Sequence, residues 1–122
     1  MPKLTVYYPQ RVGLTNDQFN MIKGPLQRLI AESASTEQSP LTEEHVDFVP
    51  ISYDNESAQF SQLIAIEIET LGFPFRKAKM TEAAMTALKP LIKDILGPVG
   101  WHVDLNKPLV WLKFQDPAGS HV

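Results

Sequence analysis

The chain has 122 residues, of which 43% are hydrophobic and 20% charged, proportions that are ordinary for one globular domain spanning 1–122. Its formal net charge of -3 gives no basic field, which argues against nucleic acid as the main partner. Cysteine is absent, so disulfides and thiolate chemistry are excluded. No apolar run approaches the roughly 20 residues that cross a bilayer, and no signal peptide is recognisable, so we expect a cytoplasmic protein without a membrane partner.

The chain opens with a predicted strand and an amphipathic helix. The strand is predicted over 3–8, where β-branched and aromatic residues dominate. Thr15 and Gln18 have the spacing of a capping box, in which each side chain binds the backbone N–H of the other residue. Apolar residues then recur at spacings of three and four, which predicts a helix over 16–33.

A proline, a loop and a second strand complete this first unit. Gly24-Pro25 lies inside the helical pattern and is expected to kink or split the helix. Residues 33–44 are rich in Ser, Thr and Glu and indicate a surface loop. Residues 45–53 alternate apolar side chains between two faces and predict a strand.

The second half of the chain repeats this order. A strand is predicted over 62–70, and a helix follows over 76–96, ending at Gly97. Two further strands are predicted over 101–105 and 109–114. The order is therefore β-α-β followed by β-α-β, which predicts an α/β (α+β) protein.

Both predicted helices contain a proline in a similar sequence context, since the run that starts at Lys23 resembles the run that starts at Lys89. A proline inside a helix costs about 3 kcal/mol or more, so two at matching depths suggest internal duplication. We therefore expect pseudo-repeats over about 2–53 and 62–114. Chain order alone also fits a ferredoxin-like module, whose sheet is antiparallel throughout, so both folds stay open here.

Pro2 offers chemistry that no other residue of this chain matches. The aminopeptidase that removes initiator methionine accepts proline as the next residue, and cleavage after Met1 leaves Pro2 as a free secondary amine. An apolar pocket or nearby cations disfavour the charged form of an amine and bring its pKa toward neutrality. Pro2 is therefore a candidate acid–base catalyst, provided that Met1 is removed.

The opening of the chain resembles the tautomerase superfamily, which includes oxalocrotonate tautomerase and macrophage migration inhibitory factor. The resemblance is carried by Met1-Pro2-Lys-Leu-Thr-Val6 and by Arg11-Val-Gly-Leu-Thr-Asn-Asp-Gln18 leading into a helix. It implies two fused β-α-β units in one four-stranded mixed sheet, with two helices on one face and assembly as a homotrimer. It also implies that Pro2 acts as the acid or base without a cofactor, and that arginines hold the substrate carboxylate.

Arg11 and Arg76 are the candidate substrate-binding residues. A guanidinium suits a carboxylate because its fork binds two oxygens at once. Arg11 lies close to Pro2 in the sequence, and Arg76 opens the second helix, where the resemblance places such arginines. The match around Arg76 is only partial, because the family's usual Arg-Ser is replaced by Arg76-Lys77. Arg28 is expected on a solvated helix face.

The remaining ionisable residues give weaker signals. Glu67 and Glu69 share one strand face and form either an acid–base pair or, as is more common, a half-solvated face or a subunit interface paired with lysine. His45, His102 and His121 lack the close spacing of metal ligands, so no metal is predicted.

These observations together predict a tautomerase-like enzyme that acts on a small 2-oxo or enol carboxylate. Hydratase, dehalogenase and decarboxylase chemistry would use the same residues in other protonation states. The alternative is a non-catalytic ferredoxin-like module that binds or regulates.

Overall fold

The chain alternates strands and helices. The computed structural model describes residues 2–10, 15–53, 64–101 and 103–116. The main elements are β1 (Lys3–Pro9), α1 (Asn16–Ala34), β2 (Asp47–Tyr53), β3 (Ala65–Leu71), α2 (Pro74–Lys79), α3 (Glu82–Leu96) and β4 (Val110–Gln115). Short 3₁₀ turns cover Glu43–His45 and Gly97–Val99.

The strands form one mixed sheet in the order β2-β1-β3-β4. Each β-α-β unit contributes a parallel pair, β1 with β2 and β3 with β4. The two units meet through the antiparallel pair of β1 and β3 at the centre of the sheet. The predicted four-stranded mixed sheet is thus confirmed. The parallel pairs exclude the ferredoxin-like arrangement, in which every neighbouring pair is antiparallel.

The hydrophobic core lies between one face of the sheet and the long helices. Leu4 and Val6 of β1 pair with Ile68 and Ile66 of β3, so all four side chains point to the same face. The helices contribute buried residues to the same core cluster, among them Ile22, Leu26, Ile30, Leu88, Ile92 and Leu96. The even-numbered residues of β1 and β3 therefore face the helices, and the odd-numbered residues face away from them.

Helix α1 begins at the predicted capping box. The Thr15 N–H donates to Gln18 Oε1 at 3.0 Å, and the Gln18 N–H donates to Thr15 Oγ1 at 3.2 Å. The helix runs unbroken through Pro25 to Ala34, so the alternative that the proline splits it is wrong. Across the described ranges, none of the helices has the length and apolar character of a membrane-crossing segment.

The predicted single helix over 76–96 is two helices. It starts earlier, at Pro74, and breaks after Lys79. Thr81 begins α3 as its N-cap, and its hydroxyl accepts from the Ala84 N–H at 3.2 Å. The Thr81 hydroxyl accepts the hydrogen bond that a backbone carbonyl would accept in a continuous helix, so a new helix begins here.

The segment before β4 differs from the prediction. Residues 101 and 103–105 do not join the sheet, so the predicted strand over 101–105 is wrong, whereas the strand predicted over 109–114 is confirmed as β4. Trp101 is nevertheless only 5% exposed, and its ring stacks on Tyr8 with centroids 5.2 Å apart. Trp101 and Val103 of this segment are buried without a strand partner, whereas Leu105 is 38% exposed.

Candidate active site

Pro2 lies where three strand ends meet. It is buried and directly precedes β1. Its carbonyl accepts a hydrogen bond from the Asp47 N–H, at the start of β2, at 2.9 Å. The next residue, Lys3, pairs with Asp47 on one side and with Glu69 on the other. Pro2 therefore lies at the end of the sheet where β1 and β2 begin and β3 ends.

An open groove of about 600 Å³ lies beside this end of the sheet. It runs between α1 and the beginning of β2, and its walls include Lys3, Lys23, Gln27, Val46, Asp47 and Phe48. The Gln27 amide fixes the wall by donating to the Val46 carbonyl at 2.7 Å. Asp47 thus contacts Pro2 through its backbone and also lines the groove.

The groove is polar and carries charges of both signs. Lys3 and Lys23 are its lysines, and Glu44 and Asp47 are its carboxylates. The Lys23 ammonium lies 5.5 Å from the centre of the Phe19 ring, a cation–π contact that holds the side chain along α1. An ammonium can attract a substrate carboxylate as a point charge, so the groove places cations at the end of the sheet where Pro2 lies.

Arg76 is an interior residue. It lies in α2, is 2% exposed, and donates from all three guanidinium nitrogens to protein acceptors. Its guanidinium carbon is 5.8 Å from the centre of the Phe73 ring. Burial lowers the pKa of the Arg76 guanidinium, because loss of hydration disfavours the charged form. The structure thus brings Arg76 into contact with the protein interior, and its substrate-binding role stays a prediction.

Of the other two arginines, Arg28 is among the described residues and Arg11 is not. Arg11 lies outside the described residues, so its predicted role also stays a prediction. Arg28 is on the exposed side of α1, where its Nε lies 3.3 Å from Glu43 Oε2. The expectation of a solvated helix position for Arg28 is confirmed.

Glu67 and Glu69 lie on the sheet face that points away from the helices. Glu69 Oε2 lies 3.4 Å from the Lys113 ammonium, and Glu69 Oε1 accepts from the Gln115 amide at 2.6 Å. Register explains the ion pair, because Glu69 and Lys113 are direct partners in β3 and β4. This geometry favours the surface paired with lysine, either half-solvated or at a subunit interface, over an acid–base pair.

Within the described part of the chain, no three His, Asp or Glu side chains are grouped closely enough to hold a metal ion. The groove residues Lys23 and Gln27 are the ones that sequence reasoning misses. Both lie on the polar side of an amphipathic helix, where lysine and glutamine are common, so no sequence signal distinguishes them.

Comparison with known proteins identifies the fold. No protein-family model matches the chain, and no curated protein matches it. Solved structures do match it: a native fused 4-OT has a TM-score of 0.66 at 14% identity, with 93% of this chain and 87% of that chain covered. The asymmetric trimer of a second protein, R7 fused 4-OT, has a TM-score of 0.56 at 19% identity over 93% and 86% of the two chains.

A third match extends the comparison to another branch of the same fold. The macrophage migration inhibitory factor-like protein of Entamoeba histolytica has a TM-score of 0.59 at 8% identity, covering 98% of this chain and 91% of that chain. The predicted resemblance is thus confirmed at the level of the fold.

Proposed function

We propose that this chain is a tautomerase-like enzyme that moves a proton on a small 2-oxo or enol carboxylate, with Pro2 as acid and base. The observation that carries the proposal is the position of Pro2, which is buried where β1 and β2 begin and β3 ends. The groove with Lys3 and Lys23 lies at the same end of the sheet and gives a carboxylate access to positive charge. The fold shared with fused 4-OT supports the proposal.

The proposed reaction needs a free nitrogen on Pro2. Once Met1 is removed, the secondary amine accepts the proton of the enol hydroxyl, and the resulting ammonium returns a proton to the neighbouring carbon. A base with a pKa near the working pH is best suited to both transfers. While Met1 is attached, the nitrogen is an amide and has no basic electron pair to offer.

A cation must stabilise the carboxylate and the developing enolate charge. We assign this part to Arg11, which follows β1 and is close to Pro2 in sequence, with the lysines of the groove adding positive charge. The chemistry requires only a base and a cation, so we propose a reaction without a cofactor. Hydration, dehalogenation and decarboxylation would use the same groups, and the reaction subtype and the cytoplasmic location stay predictions.

We also propose that the enzyme is a homotrimer. A fused 4-OT with this fold is described as an asymmetric trimer. The sheet face that points away from the helices supports an interface, since it carries Trp111 at 39% exposure beside charged residues.

The experiment compares turnover of phenylenolpyruvate by the wild type, Pro2→Ala and the control Pro50→Ala, a proline of the edge strand β2. We expect Pro2→Ala to lower kcat/KM by about 10²-fold or more, the usual contribution of a general acid–base group, and Pro50→Ala to leave it unchanged. Equal turnover by the wild type and Pro2→Ala would refute the proposed role of Pro2.

A further inference from the structure

We infer that Arg76 is a positioning residue for the Pro2 site and makes no contact with substrate. It fixes Thr70 at the end of β3, and Thr70 lies across from Pro2. The inference rests on the proposed function, because the site that Arg76 positions is the one in which Pro2 would act.

The hydrogen bonds of Arg76 join three separate segments. Its Nε donates to the Ala34 carbonyl at the end of α1 at 3.1 Å. Its Nη1 donates to Thr70 Oγ1 at 3.1 Å, and its Nη2 donates to Ser39 Oγ at 2.8 Å. Each nitrogen of the guanidinium thus donates to a different part of the chain, and the side chain is enclosed by protein, with Arg76 only 2% exposed.

The charge of Arg76 is balanced by dipoles rather than by a carboxylate. No carboxylate of the described residues forms an ion pair with it, and its acceptors are one carbonyl and two hydroxyls. Helix α1 has no basic residue in its last turn. The guanidinium supplies positive charge to that end, where the helix dipole is negative.

A second cation of α2 acts in the same place. The Lys79 ammonium donates to the Glu32 carbonyl at 2.8 Å and to the Ser35 carbonyl. Arg76 and Lys79 therefore clamp α2 onto the end of α1. Moving Arg76 toward a substrate would strip hydrogen bonds from buried acceptors, which is unfavourable because little water reaches them.

The strand register connects Thr70 to Pro2. The antiparallel β1–β3 ladder ends at the pair of Lys3 and Glu69. Extending its register by one residue places Pro2 across from Thr70. Both residues are buried, and both have the parity of the sheet face that the helices cover. Cross-strand neighbours on one face have Cβ atoms about 4.5–5.5 Å apart. Thr70 is therefore a wall of the Pro2 site, and Arg76 holds its hydroxyl.

Two amide groups provide matched reporters that do not depend on catalysis. The Asp47 N–H donates to the Pro2 carbonyl at 2.9 Å and reports on the Pro2 end of the sheet. The Ile66 N–H donates to the Leu109 carbonyl at 2.9 Å, near the opposite end of β3, and reports on general stability. Hydrogen exchange at these two amides separates a local effect from a global one.

The experiment replaces Thr70 by valine, which keeps the shape and removes the hydroxyl, and by serine, which keeps the hydroxyl. We expect Thr70→Val to speed hydrogen exchange at the Asp47 amide on the order of tenfold relative to the Ile66 amide. Arg76 then has no acceptor at position 70, so the end of β3 and the adjacent Pro2, which accepts from Asp47, are held less firmly. Thr70→Ser should behave as the wild type. Equal acceleration at both amides, or none at Asp47, would overturn the inference.

Kinetics provide the second readout. If Arg76 only positions Thr70, Thr70→Val and Arg76→Lys lower kcat for phenylenolpyruvate and leave KM unchanged. A rise in KM for Arg76→Lys with unchanged exchange at Asp47 would instead identify Arg76 as a substrate ligand. Failure of the proposed function is seen separately, either as no turnover of phenylenolpyruvate or as equal turnover by the wild type and Pro2→Ala. In that case, hydrogen exchange at the Asp47 amide still shows whether Arg76 and Thr70 hold Pro2 in place.

Discussion

Tyr7 and Glu67 are diagonal neighbours on the sheet face that points away from the helices, and this placement perturbs the phenol. Burial, and then the Glu67 carboxylate, raise the pKa of Tyr7 above its ordinary value of 10.0, while Lys113 opposes them. Both main causes disfavour the phenolate, one by loss of hydration and one by like charge. The consequence is a stability term that depends on pH.

The sign of that term follows from linkage. A pKa that is higher in the folded chain means that folding favours the protonated phenol. The stability contributed by Tyr7 is therefore complete below pH 10 and is lost as the pH rises through the folded pKa. We predict that Glu67→Gln lowers the pKa of Tyr7, because it removes the neighbouring negative charge.

Phenolate absorbance during alkaline titration measures this pKa, and the difference between the wild type and Tyr7→Phe isolates Tyr7 from the other tyrosines. A titration of Tyr7 that is the same in the wild type and in Glu67→Gln would show that the carboxylate does not act on the phenol.

At the residue level, the sequence identifies candidate site residues but does not show what each of them contacts. Pro2 stands out in the sequence because proline alone gives a secondary amine at a free N-terminus, and the structure places it at one end of the sheet beside a groove. Arg76 also stands out, but sequence cannot show that its three nitrogens donate to two segments more than thirty residues away and to a nearby threonine. Such long-range acceptors carry no local signal.

At the level of the elements, Arg76 ties α1, α2 and β3 together, so its removal should weaken the whole arrangement. We predict that Arg76→Met lowers the free energy of unfolding by about 2–4 kcal/mol, since buried acceptors lose their donor. Arg28→Met is the matched control, because the exposed pair of Arg28 with Glu43 is worth about 0–1 kcal/mol. Urea unfolding of both variants measures the difference, and equal losses would contradict the interior role of Arg76.

Local sequence rules predict the elements unevenly. The capping box of Thr15 and Gln18 fixes the start of α1 because both of its hydrogen bonds form within four residues. The break between α2 and α3 is missed, although Thr81 is a good N-cap, because the apolar spacing continues across it. The strand predicted around Trp101 fails because alternation reports burial, and burial there comes from packing on Tyr8 rather than from a strand partner.

At the level of the whole molecule, the arrangement of the two β-α-β units decides between folds that share one chain order. Chain order alone leaves the pairing of β1 and β2 open, since it depends on contacts across more than thirty residues. The resemblance at the N-terminus predicts the parallel pairs, and the sheet confirms them. Pro2 then falls at the junction of both units, next to the start of β2 and the end of β3.

The proposed trimer makes a prediction about two exposed hydrophobic residues. Trp111 is 39% exposed on the sheet face that points away from the helices, and Leu91 is 49% exposed on α3. If the sheet face is the interface, Trp111→Lys should shift the sedimenting species below three chains, because a buried lysine without a partner is unfavourable. Leu91→Lys should leave it at three. Wild-type protein that sediments as a single chain would contradict the proposal.

The mass of the intact, purified protein tests the central claim most directly, because acid–base catalysis by Pro2 requires a free nitrogen. We predict a mass that lacks Met1 and carries no modification at the N-terminus, so that Pro2 is a secondary amine. A mass that retains Met1, or that includes an acyl group on Pro2, would contradict the account, since the nitrogen would then be an amide.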